Sequence, residues 1–403
     1  MVGLLIWAGL VLLVAGIWGS RHWEVSRAQR ELPPLSEDPQ AEPLAQPPRV
    51  SVLIAAKDEE ANIEAAVRTM LGQDYPNFEL IVVNDRSTDR TAGILESLRS
   101  EQSNGRLRVL HIDQLAEGWF GKNNAMREGL AQSRGEWLCF ADADCRQTSS
   151  RSLSTAVRYA LDHRVDFLSV LPQFEMHGIW ERIIQPVCGA VMVFWFHPKR
   201  VNDPANAAAY ANGAFMLMSR RCYKAIGGHE AVRSQVNEDM HMARLAKENG
   251  QRLFVIQSDG LYKVRMYDGF RQTWRGWSRI FYGCFGTFRR LRISMGMLMV
   301  TNVFPYASLL ISLVMLAVRG WPGAGLGWQC VAGASALAVV LQQSLLMRFY
   351  RLCRVNPAWA PTFIVGAVIC IGMLLAAMFK LRANAATTWR GTTYRHGQFA
   401  QAK

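Results

Sequence analysis

Two aspartates one residue apart, Asp142 and Asp144, close the run EWLCFADAD (136–144). On an extended strand alternate side chains leave the same face, so both carboxylates can reach one cation. A hard ion such as Mg2+ or Mn2+ is held by one or two carboxylates together with substrate phosphates. A D-x-D triplet also serves as a plain turn cap, but its place after a hydrophobic strand favours the ligand role. Asp85, in NDRSTD (84–89), ends another apolar run and is placed to meet a uracil N–H or a ribose hydroxyl; Thr88 and Asp89 suit a helix cap. Ala56, Asp58 and Glu59 lie in AKDEE (56–60), after a third such run. They either begin a helix, where acids complement the helix dipole, or touch a nucleoside. Lys122, in GWFGKN (118–123), either binds a diphosphate at a helix start or is solvated. The spacing around it is not that of an ATPase P-loop. Asn237-Glu238-Asp239 open the stretch MHMARLAKENG either as a cap cluster or, at Asp239, as a general base that takes a proton from a hydroxyl. Gln272, Arg275 and Trp277 stand in QTWRGW (272–277).

These residues need a scaffold that brings loop ends together. VSVLIAA (50–56), FELIVV (78–83), LRVLHI (107–112), EWLCFADAD (136–144) and VDFLSVL (165–171) read as strands. Helical stretches over 59–72, 88–100 and 122–133 separate the first four. The alternation predicts an α/β fold with a mostly parallel, Rossmann-like sheet. Ligands of such sheets sit beyond the carboxyl ends of the strands, where Asp85, Asp142 and Asp144 fall.

The remainder of the 403 residues has a different texture. Half the chain is hydrophobic and 19% is charged, which excludes general disorder. The net charge of +13 is confined to the C-terminal third: after Asp268 there is no acidic residue, and fifteen Lys and Arg follow. Because these basic residues flank long apolar runs, they indicate membrane spans rather than nucleic-acid binding. Residues 3–19 carry no charge and precede Arg21, Arg27 and Arg30, as in an uncleaved anchor with a cytoplasmic basic flank. The expected order is an anchor over 1–20, a Pro-rich linker over 21–48 and a catalytic domain over 49–260. An aromatic and basic interfacial segment over 261–292, about three spans over 293–380 and a basic tail over 381–403 complete it. With the domain inside, three C-terminal spans place that tail outside, against the positive-inside rule. Residues 178–196 add an apolar segment that either lines an acceptor entrance or is a buried helix of the domain. The eight cysteines have neither C-x-x-C nor zinc spacing and read as free thiols of a reducing compartment.

VSVLIAAKDEEANI, QDYPNFELIVVNDRSTDRT, RGEWLCFADADC and GGHEAVRSQVNEDMHMAR, in this order, resemble the inverting family 2 glycosyltransferases of GT-A fold. The membrane-bound branch, with ceramide glucosyltransferase-like, carotenoid and hopanoid glycosyltransferases and the processive polysaccharide synthases, has a similar layout. The resemblance covers about residues 50–290. It implies that Asp85 binds the nucleoside, that Asp144 with Asp142 meets the sugar nucleotide and its Mn2+ or Mg2+, and that Asp239 is the base. On the residue readings above, Ala56, Asp58, Glu59 and Lys122 are the further candidates to line the nucleotide-sugar site. Gln272, Arg275 and Trp277 stand for a Q-x-x-R-W motif near the diphosphate and acceptor. Gly276 interrupts that motif, and N-E-D stands where many processive synthases have T-E-D; both departures weigh against polymer synthesis. The resulting expectation is a membrane glycosyltransferase, held in a bacterial inner membrane with its domain in the cytoplasm. It takes a nucleotide sugar, a UDP-sugar by family default, to the hydroxyl of a membrane lipid. A processive polysaccharide synthase and an inactive scaffold or sugar-nucleotide sensor are the alternatives.

Overall fold

The computed structural model describes residues 1–102 and 105–382, and the backbone of three short strands, Thr387–Trp389, Thr392–Arg395 and Gln398–Phe399. Of the expected basic tail, Arg390 and Lys403 lie outside the described residues. The chain divides into two compact units.

The first unit to consider contains Pro33–Glu175 and Val193–Met266. Over these two stretches its strands are β1 Val50–Ala56, β2 Phe78–Asp85, β3 Leu107–Ile112, β4 Trp137–Asp142, β5 Cys145–Gln147, β6 Phe167–Leu171, β7 Gln173–Phe174, β8 Phe215–Ser219, β9 Leu253–Gln257 and β10 Tyr262–Val264. Seven form one sheet in the order β3-β2-β1-β4-β8-β6-β9. All eight residues of β2 are buried, as expected of a parallel strand covered on both faces. Register aligns Ala55 with Asp142 and Ala56 with Asn84, so the carboxyl ends of β1, β2 and β4 share one edge. β8 runs antiparallel to both β4 and β6 and pairs Phe215 with Ala141. It therefore begins at the edge where β4 ends. The five strands expected from sequence are all present; β8 and β9 are additions. β5, β10 and β7 form a small second sheet. It takes Tyr262–Val264 from the segment expected to lie in the membrane interface.

The Pro-rich linker is tied to this unit. Leu35 N–H donates to the Gln257 carbonyl at 2.7 Å, and Tyr75 Oη donates to the Pro48 carbonyl at 2.6 Å.

The other unit holds Met1–Leu32, Met176–Met192 and Tyr267–Ala383. Among the described residues five helices are long and apolar enough to cross a membrane: Val2–Glu31, Ile179–Asn202, Phe288–Arg319, Gly325–Leu352 and Pro357–Arg382. The first continues past residue 20 because RHWEVSRAQRE carries good helix formers and an Arg27–Glu31 pair one turn apart. It packs against Gly325–Leu352 through small residues: Ala8, Val11 and Ala15 against Val331, Ala334 and Ala338. Trp7 Nε1 donates to Ser308 Oγ at 2.9 Å, and buried Gln342 donates to Asn302 at 2.7 Å beside the π-helical turn Met299–Val303.

Within this unit the segment around 178–196 resolves as the helix Ile179–Trp195, whose N-terminal part packs against the helix Phe363–Arg382. The contact is made by absence of a side chain. A Cβ at Gly366 would stand 2.2 Å from the Ile183 carbonyl oxygen and 2.7 Å from Val187 Cγ2. Nearby, Cys188 and Cys370 approach to 3.8 Å as thiols. Gly366→Ala is accordingly expected to lower the thermal unfolding midpoint in detergent, at a cost of about 1–3 kcal/mol from overpacking. An unchanged midpoint would show that the two helices do not need this approach.

Candidate functional site

The site is built at the carboxyl edge of the seven-stranded sheet. β4 ends at Asp142, and the turn into β5 carries Asp144. The helix Gly121–Ala131 delivers Lys122 in its first turn. Its N-terminus is fixed from outside: Phe120 N–H donates to the Arg233 carbonyl at 2.7 Å. Buried Asn123 Nδ2 donates to the carbonyls of Val232 at 2.7 Å and Gln235 at 2.9 Å. The segment that leads to Glu238 and Asp239 is thereby held beside Lys122.

Lys122 Nζ lies 2.6 Å from Asp142 Oδ1 and 2.7 Å from Glu238 Oε1. Burial alone would lower its proton affinity, but the two carboxylates more than reverse this and hold the ammonium well above its ordinary value. It is thus neither solvated nor free, and it joins the D-x-D turn to the helix Glu238–Glu248.

Asp239 is held by backbone. Its Oδ2 accepts from Gly213 N–H at 3.0 Å and its Oδ1 from Met240 N–H at 2.7 Å. Gly213 precedes β8, so the reversed strand brings this carboxylate to the same edge. A Cβ on Gly213 would stand 3.1 Å from Lys122 Nζ and 3.6 Å from Asp239 Oδ2. The Asp239 carboxyl is pushed up to about 7, first by burial and then by the Glu238 carboxylate, with Lys122 and the two N–H donors pulling the other way.

Asp144 is pushed up to about 8, first by burial and then by Asp142 and Glu59. Lys122 pulls the other way without reversing the shift, so a cation bound at this carboxyl would favour its ionised form. Among the described residues no three His, Cys, Asp or Glu converge as a metal cage. The donor set therefore fits a hard cation that takes one or two carboxylates and fills its shell from phosphates and water.

Asp85 is buried at the end of β2, and its carboxylate accepts from Arg86 Nε at 2.7 Å and Nη2 at 3.0 Å. Ala56 is buried at the adjoining end of β1. Asp58 lies in the loop that follows and ties it to the loop after β2: its Oδ1 accepts from Thr88 N–H at 2.8 Å, and its own N–H donates to Ser87 Oγ at 3.0 Å. Asp58 and Arg86 both adopt positive φ, +53° and +55°. Such strain in two facing loops at a ligand edge persists only where surrounding contacts over-determine it.

Gln272, Arg275 and Trp277 belong to the unit that holds the membrane-type helices, on the helix Gly269–Phe285. Gln272 accepts from Asp268 N–H at 2.7 Å and Arg275 is exposed. Trp277 is buried against Phe281, with no partner for its Nε1 among the described residues. Gly276 has a steric reason, because a Cβ there would stand 2.2 Å from the Tyr267 ring.

Sequence reasoning passed over two groups: Glu238, treated only as part of a cap, and Gly213, whose N–H holds Asp239. Adjacent acids at a helix start were the available signal for the first. The second carried none.

Residues 51–227 match the family described as Glycosyl transferase family 2. This stretch is therefore similar to a family 2 glycosyltransferase domain. Asp239 and the Gln272–Trp277 motif lie beyond the matched residues of that domain. A 4,4'-diaponeurosporenoate glycosyltransferase from Staphylococcus aureus (strain USA300) is 25% identical over 232 residues, which are 57% of this chain and 60% of that protein. The chain thus spans about 60% of the length of the curated relatives it matches. Among solved structures, a mannosyltransferase from Pyrobaculum calidifontis in complex with GDP-Man and Mn2+ shares the fold. It is 18% identical with a TM-score of 0.50, and 92% of this chain and 99% of that one are covered. The unit that carries the matched residues therefore has a GT-A-like architecture.

Proposed function

We propose that the chain is an inverting, metal-dependent glycosyltransferase that moves a sugar from a nucleotide sugar, by family default a UDP-sugar, to a hydroxyl of a membrane lipid. The observation that carries this reading is the convergence of Asp142, Asp144 and Asp239 on one edge of a family 2 domain. Five membrane-length helices and the Staphylococcus aureus relative support a lipid acceptor. The proposed location is a bacterial inner membrane, with the domain in the cytoplasm.

In this reading Asp85 and the paired loops after β1 and β2 take the nucleoside. Gln272, Arg275 and Trp277 act toward the diphosphate and acceptor. A divalent cation at Asp144 and Asp142 would neutralise charge that develops on the departing diphosphate. Asp239 removes the proton from the acceptor hydroxyl as its oxygen bonds to the anomeric carbon. The bond from that carbon to the diphosphate oxygen breaks on the opposite face, so configuration inverts without a covalent enzyme intermediate. A base must be ionised to act. With its carboxyl raised to about 7, Asp239 is protonated below that pH and active above it. At saturating Mn2+, kcat/KM for acceptor is therefore expected to fall about tenfold per pH unit below an acid limb near 7. A limb near pH 4 would remove Asp239 from the role.

The function itself is tested by nucleotide release from the full chain in nanodiscs with Mn2+, a panel of sugar nucleotides and a lipid extract. Release that requires the extract and leaves sugar in the organic phase supports the proposal. A growing water-soluble product would instead indicate a polysaccharide synthase.

A further inference from the structure

Lys122 is shared between two carboxylates that belong to different parts of the proposed reaction. Its ammonium touches Asp142 on the cation side and Glu238, the neighbour of the base, on the other. Glu238 is 3% exposed, and Lys122 is its only ion-pair partner among the described residues. A buried carboxylate without its counter-ion is costly, so Lys122 cannot leave both partners at once. It can, however, lean toward either.

We propose that Lys122 is a built-in competitor for the divalent cation at Asp142, and that Glu238 is the positioning residue that sets how strongly it competes. The inference rests on the metal reading given above. While Lys122 rests on Asp142, that carboxylate is partly neutralised and less available as a ligand. Glu238 already holds the same ammonium at 2.7 Å and so keeps it paired as Asp142 turns to a cation. The charge so released stays inside the site, beside the helix that carries Asp239. Cation loading and the environment of the base are thereby linked through a single side chain.

The test is Mn2+ binding to the full chain in nanodiscs without nucleotide, read from the electron paramagnetic resonance signal of free Mn2+. Folding is checked by circular dichroism and thermal unfolding. Lys122→Met is expected to tighten Mn2+ about fivefold or more, and Glu238→Gln to weaken it by a similar factor. Glu238→Asp keeps the charge but shortens the reach, so it too is expected to weaken binding; a pure field effect would leave it at the wild-type value. In the Lys122→Met background Glu238→Gln is expected to have no further effect, because its action passes through Lys122. Persistence of the Glu238→Gln effect in that background, or unchanged affinity in Glu238→Asp, would overturn the inference while leaving the metal reading intact. Wild-type protein that binds no Mn2+ without nucleotide would overturn the inference, because Lys122 would then have no competitor at Asp142, while leaving intact a metal site completed by substrate phosphates. Binding that is lost in Asp144→Asn but indifferent to Lys122 and Glu238 would overturn the inference alone.

Discussion

Asp239→Asn is expected to lower the rate of glycosyl transfer by about 10²–10⁴-fold, the usual contribution of a positioned general base. Affinity for the sugar nucleotide should change little. The amide keeps an oxygen that can accept from the Gly213 N–H, 3.0 Å away, so the edge geometry is retained. What is lost is the proton acceptor for the incoming hydroxyl. Single-turnover transfer measured beside equilibrium donor binding separates the two effects. Equal loss of binding and turnover would show that the residue holds the donor instead, and near-normal turnover would show that another group takes the proton.

Asp144→Asn is expected to abolish metal-dependent donor binding and, with it, turnover by at least about 10²-fold. Its carboxyl lies among Asp142 and Glu59, and of the two D-x-D aspartates it is the one that Lys122 does not already engage at short range. Under the proposed function its loss removes the cation ligand that Lys122 does not hold. Calorimetric titration of nucleotide with and without Mn2+ checks this. Wild-type protein should show a large metal increment and the variant almost none. A variant that keeps the increment would move the cation elsewhere.

The parts of the fold that were legible in the sequence share a physical reason. β1, β2 and β4 are parallel strands buried on both faces, so they appear as unbroken apolar runs ended by polar residues. β8 and β9 were not read. FMLMS and LFVIQ are five-residue apolar runs without a flanking strand–helix alternation, and such short runs do not distinguish strand from buried helix. Among the candidate site residues, the carboxylates of β2 and β4 could be placed at strand ends from the sequence because each follows an apolar run. The Lys122–Glu238 pair did not, because ion pairing between residues far apart in sequence leaves no periodic trace. For the same reason the helix around Ile183 could not be assigned a neighbour from its composition. Its partner, Gly366, is a residue with no side chain to advertise the contact.

The reversed direction of β8 has a consequence for how the molecule comes into being. Strands β1 to β4 precede β8 in the chain and so leave the ribosome first. They carry Asp85 and Asp142, whereas the Gly213 N–H that holds Asp239 is placed by the pairing of β8 with β4. The Asp239 side of the edge therefore depends on a long-range antiparallel pairing that the β1–β2 side does not need.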